Sequence, residues 1–438
     1  MSEIAILGAG MAGFGAAYQL ANEGVSAKIY DQKPYHGGHT ASFKYEDKYI
    51  FDEGPHISFT KIERIQQLFA DNVNQDYEVI HAYVNNYWKG HWIKHPAQCN
   101  LHGLPAELMV DILRDFIQAQ HTEPGPINNY ADWLLASYGE TFAKTFPMEY
   151  GRKYHTTPAE NMSTDWLGPR LYRPDLEEVL KGALSPETPH VHYVSNFRYP
   201  TWDGFVAYLN PLAKQYPLQL GHKLTRLDPK TRQLIFANGT EITYDQVISS
   251  IPLTELIPLI QGAPPDVVEA AQKLAVTTCV VVNLVLNRPD ISKAHWTYFY
   301  DDDFFFTRLS FPHMLSPNNV PPGTGSIQAE VYYSNKYRPL DRAPEDCIES
   351  VIADLRRCGL IQDDDQILFS NALLIPYANV IFDLDRAEAV ATVHGYLDDI
   401  GVAYCGRYGQ WGYEWTDESF VSGENAAKKT LEKTAVHR

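Results

Sequence analysis

Apolar residues recur along this chain in distinct rhythms, and each rhythm predicts a different element. Residues 4–7 form an unbroken apolar run, which predicts a buried parallel strand. After the turn Gly8-Ala9-Gly10-Met11-Ala12-Gly13, the residues Ala16, Ala17, Leu20 and Ala21 recur at helical spacing, and Gly24 stands where a helix-ending glycine belongs. Residues 27–30 predict a second strand, closed by Asp31. Helical spacing returns over 106–118 and 130–146, with the turn-rich Glu123-Pro124-Gly125-Pro126 between them. Strand-like runs occupy 223–227, 234–237 and 241–251, with Asn238-Gly239 as a hairpin turn. Longer β-rich runs follow at 276–286 and 295–300. A helix is predicted over 345–359, another over 387–400, then a strand at 402–405, a turn at Gly406-Arg407-Tyr408-Gly409 and a last helix from Gly423.

This order predicts an α/β fold in which one dinucleotide-binding domain is interrupted twice. Residues 1–90, 190–255 and 390–438 would build that domain. Residues 91–189 would form a helical insert, and 256–389 an antiparallel-sheet substrate domain.

The first turn carries chemistry. Gly8 permits a tight strand-to-helix turn, Gly10 lets a pyrophosphate approach the backbone, and Gly13 lets helix and strand pack closely. The amides of the first helical turn, including Met11 and Ala12, face the phosphate with the helix dipole behind them. Asp31, 23 residues after Gly8, can accept hydrogen bonds from a ribose hydroxyl. A second glycine pair, Gly37-Gly38-His39-Thr40, follows that acid by a few residues. This favours FAD in a Rossmann-like domain of the glutathione-reductase type over NAD, with His39 and Thr40 beside the phosphates.

Composition narrows the partners. The length of 438 residues predicts two or three domains. A net charge of −18 argues against nucleic acid or an anionic membrane surface as main partner. No apolar stretch reaches the ~20 residues of a membrane span, and the N-terminus does not read as a leader. The five cysteines are scattered with no C-x-x-C pair, so a reduced cytoplasmic protein is expected. No metal-ligand spacing stands out.

Over nearly its whole length the chain resembles the UDP-galactopyranose mutases, within the amine-oxidase and protoporphyrinogen-oxidase-like flavoproteins. Besides the two glycine loops, Gly54-Pro55-His56-Ile57 matches a segment whose histidine lies beside the flavin ring. His95-Pro96-Ala97-Gln98 is similar to a substrate-cleft segment. Trp166-Leu167-Gly168-Pro169-Arg170 matches the motif that supplies one diphosphate-binding arginine. Trp296-Thr297-Tyr298, ten residues before Arg308, matches the segment that supplies a tyrosine and the second arginine. Asn196-Phe197-Arg198-Tyr199-Pro200 resembles a uridine-side segment. Gly406-Arg407-Tyr408-Gly409-Gln410-Trp411-Gly412-Tyr413 resembles the flavin-binding C-terminal signature, with Tyr413 at a substrate-tyrosine position. The resemblance implies FAD held through Arg407, Gly409 and His56, and a substrate held by Gln98, His155, Asn196, Arg170 and Arg308. His56, Arg170, Arg308, Tyr298 and Tyr413 would carry the chemistry. The chain also departs from the family: His155 replaces a tryptophan, and Leu315 and Asn379 replace two diphosphate-contacting tyrosines.

Arginine suits bidentate phosphate binding, and an acidic chain needs fixed cations to hold a sugar diphosphate. The resemblance implies a mutase-like isomerisation of a nucleotide-diphosphate sugar through flavin N5. The alternative is an FAD-dependent oxidoreductase, amine-oxidase- or desaturase-like, that takes a hydride from a small molecule. Either would need a reductant or electron partner, NAD(P)H or another.

Overall fold

The computed structural model describes residues 3–123, 125–168, 171–189 and 194–436. Five parallel strands form the first sheet, in the order Val402–Tyr404, Gln246–Ser249, Ile4–Leu7, Ala27–Tyr30, Leu218–Gln219. Ile4–Leu7 lies at its centre with every residue buried, as a parallel strand covered on both faces must be. Three distant stretches of chain thus meet in one sheet.

Helix Met11–Asn22 leaves the end of that central strand and packs along the C-terminal helix Thr416–Val436. The approach is close: a Cβ on Gly15 would stand 2.0 Å from the Phe420 carbonyl oxygen, and one on Gly423 1.9 Å from that of Ala12. Glycine at both positions brings the end of the chain, including residues 406–413, against the first glycine turn.

The second sheet has seven strands, in the order Ile367–Ile375, Thr277–Leu286, Gly325–Ser334, Arg308–Ser310, Trp296–Phe299, Val84–Trp88, His91–Lys94. Its neighbours are antiparallel except Trp296–Phe299 with Val84–Trp88. The fold is therefore a mixed α/β architecture of one parallel and one largely antiparallel sheet. Helices 106–121, 130–138, 140–145, 147–155 and 176–184 pack beside it around Phe116, Leu134, Tyr138 and Phe146.

Three local expectations are corrected. The helix expected over 130–146 is broken into Tyr130–Tyr138 and Glu140–Thr145, with Pro147–His155 following. Gly139 sits at φ +77°, and its Cβ position lies 2.5 Å from the Asp115 carbonyl carbon. The strand expected over 241–251 is two strands in different sheets. Glu241–Thr243 closes the hairpin with Gln233–Phe236, and Gln246–Ser249 joins the parallel sheet. Between them the Tyr244 N–H donates to the Arg232 carbonyl and the Asp245 N–H to that of Glu3, which carries the chain from one sheet to the other. The last helix starts at Thr416, well before Gly423, where Glu418 accepts the Trp415 N–H at 2.8 Å. Among the described residues no helix is long and apolar enough to cross a membrane. All five cysteines are unpaired, four of them buried.

Candidate active site

A cavity of about 770 Å³ runs from the first glycine turn to the inner face of the seven-stranded sheet. At its first end the two glycine loops are bound to each other. Gly10 and Gly37 form a bridge, and the Gly37 N–H donates to the Ala9 carbonyl at 2.8 Å. Gly8 is at φ +109°, and a Cβ on Gly13 would meet the Gly8 oxygen at 1.9 Å. Among the described residues no side chain caps helix Met11–Asn22, whose first bond runs from Phe14 back to Gly10. The amides of Met11, Ala12 and Gly13 are therefore left for an external anion. A Cβ on Gly10 would meet only ordinary contacts, the nearest at 3.7 Å. These features fit the pyrophosphate of a dinucleotide.

Asp31 accepts the Ala9 N–H at 2.7 Å and the Lys33 N–H at 2.8 Å. Burial raises its pKa against those two bonds, and its carboxyl remains in the cavity wall. The Thr40 hydroxyl donates to the Gly37 carbonyl at 2.8 Å, which braces the second loop. Glu53 stands between Lys33 Nζ at 2.9 Å and His39 Nδ1 at 3.1 Å. Burial pushes Glu53 up, but the His39 and Lys33 contacts hold it below the usual carboxylate range.

His56 and Arg407 occupy the middle of the cavity wall. His56 Nδ1 lies 2.9 Å from the Gly54 carbonyl, which can only accept, so Nδ1 carries the proton. Burial lowers the His56 pKa to about 4, so the ring is neutral near pH 7 and offers Nε2 as an acceptor. Carbonyls hold Arg407: Nε and Nη2 donate to the Glu414 main-chain oxygen at 2.9 and 2.6 Å, and Nη1 donates to Ala378 O and Asn379 Oδ1, each at 3.2 Å. Among the described residues no carboxylate forms an ion pair with it, and it brings a positive charge to the cavity wall.

The far end belongs to the sheet. Tyr298, Arg308 and Glu330 are direct cross-strand neighbours on three adjacent strands, so their side chains stand in one row on one face. Arg308 donates through Nε and Nη2 to both oxygens of Glu330, the Nη2 bond at 2.8 Å. Tyr332, two residues beyond Glu330, shares that face. Tyr154 and Tyr413 close the end with hydroxyls 3.1 Å apart, and the Trp296 Nε1 proton goes to the Tyr298 oxygen at 3.1 Å. Burial raises the pKa of Tyr154, Tyr298 and Tyr332, so all three stay phenols and can donate.

Several expected residues lie elsewhere. Gln98 donates to the Tyr172 carbonyl at 2.8 Å, off the cavity wall. Asn196 is exposed at a strand end beside His81. Gly409 packs on Ser249 and Tyr404 behind the wall. His155 is buried among Tyr154 and Trp166, its Nδ1 without a partner among the described residues, and burial lowers its pKa to about 3. Pro169 and Arg170 lie outside the described residues. Sequence reasoning missed Glu53, Tyr154, Glu330, Tyr332 and Glu414. Glu330 had a readable signal, a lone acid inside the otherwise uncharged run Gly325–Ser334.

Comparison with known proteins settles the class. The family model of the flavin-containing amine oxidoreductases matches residues 11–428. The chain belongs to that family. It is a flavoenzyme and its cofactor is FAD. Its fold is similar to that of a reduced UDP-galactopyranose mutase, with a TM-score of 0.92 at 24% identity over 99% of this chain and 96% of that one. It is also similar to a putative protoporphyrinogen oxidase from Exiguobacterium, with a TM-score of 0.75 at 13% identity over 98% and 99% of the two chains. A ζ-carotene desaturase of Zea mays is 30% identical over 128 residues, which span 27% of this chain and 22% of the desaturase.

Proposed function

We propose that this flavoenzyme isomerises a nucleotide-diphosphate sugar between pyranose and furanose forms, with no net redox change. The observation that carries the reading is Arg308. Glu330 takes two of its N–H groups, and the rest of the guanidinium fork is left for a ligand beside Tyr298, Tyr332 and Tyr154. One fixed fork among phenols that remain protonated suits a diphosphate, which needs several donors.

The chain's own residues then have separate tasks. The glycine loops and Asp31 hold the dinucleotide part of FAD, in a domain we read as glutathione-reductase-like and assembled from residues 1–90, 190–255 and 390–438, apart from strand Val84–Trp88, which joins the seven-stranded sheet. Arg407 offers positive charge beside the ring system. Neutral His56 offers an acceptor without adding charge. Reduced flavin supplies a nucleophilic N5 when bound. Arg308 and the phenols hold the leaving diphosphate in place so that the sugar can be recaptured. The unpaired thiols support a reducing, cytoplasmic setting, with NAD(P)H or another donor as reductant.

One feature favours an oxidoreductase instead. Glu330 already neutralises Arg308, and Leu315 and Asn379 stand where two tyrosines of the resembling family would be. Incubation of dithionite-reduced protein with UDP- and dTDP-hexoses separates the two. A ring-isomerised nucleotide sugar is the expected product. Flavin reduction by an amine or alcohol, with no nucleotide-sugar turnover, would overturn the proposal.

A further inference from the structure

Asn379 is buried between the two halves of the cavity, and its hydrogen bonds fix which way its amide faces. Its backbone is clamped to Thr277: the Thr277 N–H donates to Asn379 O at 2.8 Å, and the Asn379 N–H to Thr277 Oγ1 at 2.9 Å. On one side stands Arg407 Nη1 at 3.2 Å. Arginine only donates, so the amide oxygen must face it. The amide nitrogen therefore faces Tyr332, whose hydroxyl oxygen lies 3.5 Å away. A nitrogen that donates makes the phenol oxygen the acceptor, so the Tyr332 proton is turned away from Asn379. Among the described residues Tyr332 has no other hydrogen-bond partner. Both oxygens of its neighbour Glu330 accept from Arg308, and among the described residues no bond joins Tyr332 to Glu330. Tyr332 lines the cavity on the same strand face as Glu330.

We propose that Asn379 is a positioning residue that links the cofactor-side Arg407 to the substrate-side Tyr332 and aims the Tyr332 hydroxyl proton into the cavity as a ligand donor beside Arg308. The inference rests on reading this cavity as the reaction site. Tyr332 thereby supplies a donor from the sheet, although residue 379 itself carries no phenol.

The test compares N379D, Y332F and the double variant as FAD-loaded proteins, with UDP as probe and flavin absorbance as signal. A carboxylate at 379 accepts from both neighbours, so it draws the Tyr332 proton out of the cavity. N379D and Y332F should each weaken UDP binding about three- to tenfold, the worth of one hydrogen bond. The double variant should be no weaker than N379D, because both changes remove the same donor. Multiplying losses would mean simple charge repulsion from the new carboxylate and would overturn the inference. So would N379D binding UDP as wild type does. A second readout does not need UDP. N379D pairs Arg407 and should make the flavin midpoint potential more negative, while Y332F leaves it unchanged. An unchanged potential in N379D also overturns the inference. Absence of UDP binding by wild type contradicts the proposed substrate instead, and the potentials then decide the Arg407 link.

Discussion

Arg308 and Glu330 face each other across adjacent antiparallel strands and form a two-point ion pair at the sheet end of the cavity. Their side chains are 23% and 5% exposed, so neither charge is well solvated. Breaking a fully buried pair costs about 3–5 kcal/mol, because the surviving charge is left alone. Arg308 keeps some water, so E330Q should lose about 2–4 kcal/mol of stability, read by thermal or urea unfolding. UDP should restore more stability to E330Q than it adds to wild type, since its phosphates replace the missing counter-charge. Equal stabilisation of both would mean that the ligand does not reach Arg308.

Two glycines of the first turn should fail differently. Gly10 has φ −92° and space around its Cβ position, so G10V should fold but purify without FAD. Gly13 has the Gly8 oxygen 1.9 Å from its Cβ position, so G13V should be unstable with or without added FAD. Unfolding midpoints and the flavin-to-protein absorbance ratio distinguish the outcomes.

The pH dependence has a defined sign at His155. Burial lowers its folded pKa to about 3, from the ordinary 6.5 of an exposed histidine. Below pH 6.5 the unfolded chain takes a proton that the folded chain refuses, so this residue's contribution falls as pH falls toward 3. The slope approaches about 1.4 kcal/mol per pH unit. Asp52 is buried with a pKa raised to about 6, and it acts in the opposite direction between 3.8 and 6. The difference between wild type and H155F isolates His155. H155F should gain on wild type steadily from pH 6.5 to 4, as followed by urea unfolding at each pH. A constant difference would contradict a buried neutral imidazole.

How much of this was legible in the sequence depended on how local each feature is. The Gly8 turn, its strand and helix, and Asp31 lie within about thirty residues and obey short-range rules. The hairpin at Asn238-Gly239 did too. The break at Gly139 was not readable, because what forbids a side chain there is the backbone of Asp115, in another helix. The Glu330 partnership depends on strand register, which places it opposite Arg308 across 22 residues of chain. Motif likeness identified the segments holding Gln98, Asn196 and Gly409. It could not say that these side chains or backbones face neighbouring loops and strands away from the cavity. Side-chain direction is decided by packing, and packing is absent from a pattern of spacings.

Glu414 tests the electrostatics of the cofactor side. Burial raises its pKa to about 7, with Ser419, Ser422 and Arg407 opposing and Glu418 adding to the rise, and its Oε2 is buried without a partner among the described residues. The holoenzyme's flavin spectrum should therefore change with a midpoint near pH 7, and E414Q should abolish that change. A transition that persists in E414Q would assign it to another group.

The affinity of UDP for wild type and R308A, with FAD content measured in parallel, tests most directly whether Arg308 holds a diphosphate over FAD. Loss of one charge-assisted contact costs about 1.5–3 kcal/mol, so R308A should bind UDP roughly ten- to hundredfold more weakly. Its FAD content should equal that of wild type, because Arg308 lies at the sheet end of the cavity and outside both glycine loops. Equal UDP affinity in the two proteins, or no UDP binding by wild type, would contradict a diphosphate site at Arg308.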